Sequence, residues 1–123
     1  MDRKEFEQIA QEAFENLPRR LQEKVENVHI VIEDEPSEET LKRSHIRRGS
    51  LLLGLYEGIP LTRRGEDYGR YPAVPDKITL YRSAILAVAQ SESAIRETIR
   101  DVLIHEIAHY FGMTERQVRE AGY

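Results

Sequence analysis

The chain has 123 residues, 40% of them hydrophobic and 33% charged, and its 18 Lys and Arg against 22 Asp and Glu leave a net charge of −4. That length carries one domain, here residues 1–123, and the apolar share suffices for one core, which excludes a multidomain enzyme and a disordered chain. The mild acidity offers no global field to nucleic acid or anionic lipid, and the absence of cysteine removes disulfides and thiolate chemistry, leaving His, Asp and Glu as possible metal ligands.

The start, Met1 to Glu7, has no apolar signal core, and the longest apolar run, Ala84 to Ala89, is far short of the ~20 residues that span a bilayer. The expectation is a cytoplasmic protein with no membrane partner. Phe6, Ile9, Ala10, Ala13, Phe14 and Leu17 share one helical face, so the first element is an amphipathic helix. Pro18 fits the first turn of a second short helix running to about Glu26. Val28 to Ile32 is dense in β-branched residues and reads as a strand, and the acidic stretch Glu33 to Glu39 with Pro36 reads as a loop.

Leu51 to Tyr56 is a short apolar run closed by Gly58 and Pro60, which predicts a second, buried strand. Gly65, Gly69, Pro72 and Pro75 make Thr62 to Pro75 a surface loop. Lys77 to Tyr81 alternates polar and apolar residues and predicts a third strand with one face toward solvent. A short helix follows over Arg82 to Gln90. Ser91 then caps a long one that carries Ile95, Ile99, Val102, Leu103 and Ile107 and runs toward a left-handed stop at Gly112.

Within that long helix lies His105-Glu106-Ile107-Ala108-His109. Two histidines four apart stand about 40° and 6 Å from each other on one helical face, within reach of a single metal ion. Glu106 projects from the flank of that face, where it can act on a metal-held water without binding the metal, the place a general base needs. Catalytic zinc takes three protein ligands. Glu115 is the best candidate for the third, provided the helix ends at Gly112 and the chain turns back, since on an unbroken helix it would lie ~9 Å beyond His109. Glu120 is the fallback, on a short C-terminal helix. Composition alone yields roughly 0.0002 chance matches to His-Glu-x-x-His-x-x-Gly followed by a carboxylate, so the pattern carries information.

These residues also resemble a family, the bacterial zincin-like metallopeptidases sometimes called mini-zincins. The resemblance runs from about Leu17 to Glu115, through Val31 to Pro36, Leu53 to Thr62, Pro75 to Tyr81 and Leu103 to Gly112. It implies a compact α+β fold, with a small mixed sheet of three or four strands packed on an active-site helix and an N-terminal helix. It further implies zinc on His105, His109 and Glu115, with Glu106 as catalytic base. Two positions depart from the family pattern: Tyr110 stands where His is common, and Glu115 where the third ligand is commonly Asp.

The reaction this implies is hydrolysis of peptide bonds in a peptide or protein substrate, with Glu106 taking a proton from the attacking water and passing it to the departing amine. Strand Lys77 to Tyr81, if it lies at the sheet edge beside the helix, could pair with an extended substrate. Tyr81 and Tyr110 are either oxyanion donors or packing residues, and Met113 packs near the helix terminus. Asp101, one turn before His105, could orient that imidazole, but reads rather as a solvated helix carboxylate. His29 and His45 read as strand and loop residues. The cluster Lys42, Arg43, His45, Arg47 and Arg48, with Arg63 and Arg64, reads as a solvated loop rather than a polyanion site. The alternative function is a non-catalytic module in which zinc staples the C-terminal turn and the strand edge binds a protein partner.

Overall fold

The computed structural model describes residues 1–25, 27–43, 51–58 and 76–120, with the Glu115 side chain outside that set. The predicted loop from Thr62 to Pro75, and His45, Arg47, Arg48, Arg63 and Arg64 of the basic cluster, lie outside the described residues.

Helix α1 (Arg3–Glu15) starts where the Asp2 carboxylate accepts the Glu5 N–H at 2.8 Å, and it buries Phe6, Ile9 and Ala10 on the predicted face. Helix α2 (Arg19–Gln22) is one turn long rather than extending to Glu26. Pro18 precedes it in an extended conformation, and beyond Gln22 the Lys24 and Val25 amides reach back only three residues, to Leu21 and Gln22. Tight turns of this kind still place Leu21 and Val25 in the core.

Strand β1 (Val28–Glu33) appears where predicted. The acidic loop expected to follow it contains helix α3 (Glu38–Arg43), begun by a hydrogen bond from the Thr40 N–H to Ser37 Oγ. This helix buries no side chain, so it leaves no hydrophobic period in the sequence. Strand β2 (Gly54–Glu57) is shorter than the predicted run, because Leu51 is 58% exposed and pairing with the next strand begins at Leu53, whose carbonyl accepts the Tyr81 N–H. Strand β3 (Asp76–Tyr81) is followed directly by α4 (Arg82–Val88), by α5 (Glu92–Tyr110), capped by Ser91 Oγ at the Ala94 N–H, and by α6 (Glu115–Glu120).

The sheet order is β1-β3-β2, with β3 parallel to β1 and antiparallel to β2. Central placement corrects the expectation that Lys77 to Tyr81 is an edge. Among the described residues the edge strand packed beside α5 is β2. It also corrects the expected solvent face, since Thr79 and Tyr81 are both buried. Paired residues share a face, so Ile78 and Leu80 lie with Ile30, Ile32, Gly54 and Tyr56 on the side that meets α1 and α5. There they join Ile95, Ile99, Leu103, Ile104, Ile107 and Ala108 of α5 and Phe6 and Ile9 of α1 in one core.

This is an α+β fold with a three-stranded mixed sheet, as the resemblance implied. Among the described residues, no helix is long and apolar enough to cross a membrane.

Candidate active site

The core stripe of α5 fixes which side of the helix faces outward, and both histidines stand on that outward side. Their ring centroids are 6.1 Å apart with planes inclined at 67°, the separation one helical turn provides. His105 Nδ1 lies 2.7 Å from the Asp101 main-chain oxygen. A carbonyl can only accept, so Nδ1 carries the proton and Nε2 keeps its lone pair, the tautomer a metal ligand needs. The group that orients His105 is therefore the Asp101 carbonyl of the preceding turn, while the Asp101 side chain is exposed, as the reading of a solvated helix carboxylate expects.

Glu106 leaves the helix toward β2, where its Oε1 accepts the Tyr56 N–H at 3.2 Å. Burial pushes its carboxyl pKa above the ordinary value, opposed by that N–H and by His109 and His105. A half-buried carboxylate beside two imidazoles, with its proton affinity raised, is suited to accept and return a proton.

Two further contacts bind α5 to β2. A β carbon at Gly54 would overlap Val102 Cγ1, and one at Gly58 would overlap the Tyr110 hydroxyl and ring, so glycine at each position lets the helix side chain approach the strand backbone. The Tyr110 ring stacks on Tyr56 with centroids 3.9 Å apart and planes 20° from parallel, and the Tyr56 hydroxyl donates to Asp76 Oδ2 at 2.8 Å. Sequence reading missed Gly54, Tyr56 and Gly58. Their alternation along one strand was the available signal, but only the tertiary pairing gives it meaning.

The chain leaves α5 through the expected glycine stop. Gly112 has φ +80°, the Met113 N–H reaches the Ala108 carbonyl at 2.8 Å, and the Gly112 N–H reaches that of His109 at 3.0 Å. These two bonds define a Schellman turn. Its exit is itself a helix start: the Gln117 N–H donates to Thr114 Oγ1 at 3.1 Å while Gln117 Oε1 accepts the Thr114 N–H at 2.8 Å, a reciprocal capping box. Glu115 is the first residue of α6 on this turned-back backbone, and its side chain lies outside the described residues. Among the described residues no three His, Asp or Glu side chains converge as a metal-binding group.

The remaining candidates fall elsewhere. Glu120 is exposed, pairs with Arg116 Nε at 3.0 Å, and lines a cleft with Arg20, Lys24, Met113 and Gln117. Met113 packs against the core, as expected. Tyr81 is on the sheet face away from α5, where burial and the neighbouring Glu33 and Glu57 push its hydroxyl pKa up. His29 is exposed on that same far face of β1. Lys42 and Arg43 close α3, and Arg43 faces Glu57 at 3.8 Å.

Comparison with known proteins supplies a lineage. A solved structure of a conserved hypothetical protein from Thermo thermophilus superposes with a TM-score of 0.57 at 19% identity, covering 89% of this chain and 94% of that one, a likeness of fold. No curated protein matches the sequence. The family described as zincin-like metallopeptidase matches over residues 25–123, a span that takes in the whole sheet, α5 with its His-Glu-x-x-His segment, and the turn into α6. On that match, the chain belongs to the zincin-like metallopeptidase family.

Proposed function

We propose that this protein is a zinc-dependent metallopeptidase in which His105, His109 and Glu115 hold the metal and Glu106 is the general base. The observation that carries the reading is the orientation of the two groups on the exposed side of α5. His105 Nδ1 donates to the Asp101 carbonyl, which puts the ring's lone pair on Nε2, and Glu106 accepts the Tyr56 N–H through Oε1. Two neutral imidazoles and a carboxylate are the donor chemistry zinc takes in hydrolytic sites. When bound, the ion supplies Lewis acidity to the scissile carbonyl and to a water molecule.

Glu106 then receives the proton of the attacking water and returns it to the leaving amine, a task helped by its raised proton affinity. An extended substrate approaches along β2, the edge strand beside α5, because the backbone groups of Gly54 turn away from β3. The substrate is a peptide or protein, and the compartment is the cytoplasm.

The test combines metal analysis of the native protein with a peptide-library digest, run with and without chelator and with Glu106→Gln. The reading expects about one zinc per chain and a loss of roughly 10²- to 10⁴-fold in rate for Glu106→Gln. Native protein devoid of metal, or a Glu106→Gln variant as active as the parent, refutes it. The zinc-staple alternative instead expects Glu106→Gln to be silent while His105→Ala lowers the melting temperature and abolishes partner binding.

A further inference from the structure

Val102, Glu106 and Tyr110 recur every four residues along α5, and each meets a different point of the chain at Gly54, Tyr56 and Gly58, which recur every two along β2 and its end. Four helical residues advance about 6.0 Å. Two strand residues advance about 6.8 Å. The stripe and the strand therefore stay in step across three contacts, with the polar pin of Glu106 in the middle and an apolar contact on either side.

The middle contact is the weakest in geometry: 3.2 Å is the long end of the N–H···O range, so by itself it would let the strand rock against the helix. The Tyr56 ring is what prevents this. Its hydroxyl is tied to Asp76 Oδ2 and its face is covered by Tyr110, so the residue whose N–H meets Glu106 is gripped at the tip and on the flat. Tyr110 is itself 39% exposed and adds no second face to the core.

We infer that Tyr110 is a positioning residue of the proposed active site: by stacking on Tyr56 over the bare backbone of Gly58 it clamps β2 to α5 and keeps the Tyr56 N–H on Glu106 Oε1. The second carboxylate oxygen is thereby left for the proton. This deepens the peptidase reading and rests on it for the role of Glu106, but the clamp itself is a property of the folded chain that needs neither substrate nor metal.

The experiment is amide hydrogen exchange of the metal-free full chain, read at Tyr56, with the β3 amides of Ile78 and Leu80 as the control for an intact fold. Tyr110→Ala is expected to speed exchange at Tyr56 by about tenfold while the β3 amides stay protected. Tyr110→Phe keeps the ring and leaves Tyr56 unchanged. Gly58→Ala displaces the ring and reproduces the alanine effect, and in a Tyr110→Ala background it adds nothing further. Glu106→Gln retains an acceptor oxygen and preserves protection, whereas Glu106→Ala loses it.

Unchanged Tyr56 exchange in Tyr110→Ala, or equal acceleration in the Phe and Ala variants, overturns the inference. Should Tyr110→Ala unfold β3, Gly58→Ala decides by the same readout. In the digest, Tyr110→Ala lowers kcat with KM little altered and Tyr110→Phe restores it. A parent without peptidase activity sinks the peptidase reading and leaves the exchange result to decide the clamp.

Discussion

Replacing Gly112 by alanine isolates the turn that leads from α5 to Glu115, the proposed third ligand. Nothing lies within 4 Å of where a β carbon would stand, so the substitution meets no steric obstacle and its whole cost is conformational. At φ +80° an L residue with a β carbon sits in the left-handed region, which costs about 1–2 kcal/mol. For a chain of this size that is a fall in melting temperature of about 4–8 °C. Asparagine, which tolerates this region better, should lose about half as much.

The same strain appears in metal binding if Glu115 is the third ligand. A variant that relaxes by abandoning the left-handed turn must restore it to bring Glu115 back, and 1–2 kcal/mol is a roughly 5- to 30-fold loss of affinity. Thermal or urea unfolding of the metal-free protein, followed by competitive zinc titration, measures both. An alanine variant as stable as the parent would show that the turn opens without cost, and the argument that Gly112 places Glu115 would fail.

The raised pKa of Glu106 means that folding favours its protonated form, so the stability this group confers is present below the ordinary value of 4.5 and is lost as pH rises through the raised one. Metal-free Glu106→Gln should therefore melt above the parent at neutral pH, with the gap closing in acid; a variant that melts lower at pH 7 contradicts the burial cost. Glu115→Ala should weaken zinc binding by more than about 100-fold, beyond the range for outer partners, whereas Glu120→Ala should leave it unchanged, and isothermal titration separates the two. Asp101→Asn should also leave zinc affinity unchanged, because the contact to His105 is made by the main chain; a large loss would return the role to the carboxylate. Gly54→Ala should destabilise by about 1–3 kcal/mol through overlap with Val102, and Val102→Ala should recover part of it, as a double-mutant cycle in urea would show.

The active-site helix was legible in the sequence because its determinants are local. Ser91 caps, Ile95 to Ala108 set the buried stripe, His105 and His109 follow from a four-residue step, and Gly112 stops the helix where a left-handed residue is required. Strand identities were legible for the same reason, but strand order was not. That β3 lies between β1 and β2 depends on pairings between residues 20 to 48 positions apart, which no window of alternation encodes. Helix α3 escaped because its packing is too slight to write a period, although Ser37 three residues before Thr40 is a local cap signal. Asp101 illustrates a different limit: its solvated carboxylate was legible from residue type, while the bond to His105 comes from a carbonyl that every residue possesses and no residue type announces.

The Schellman turn over residues 108–113 runs straight into the capping box of residues 114–117, so main-chain and Thr114–Gln117 hydrogen bonds close the end of one helix and the beginning of the next. A corner assembled this way exists before any ion arrives. Unlike small zinc domains, whose chains collapse only around their metal, this protein should be folded without one, and if it holds the proposed zinc it should take it up at a rate set by diffusion and dehydration rather than by chain ordering.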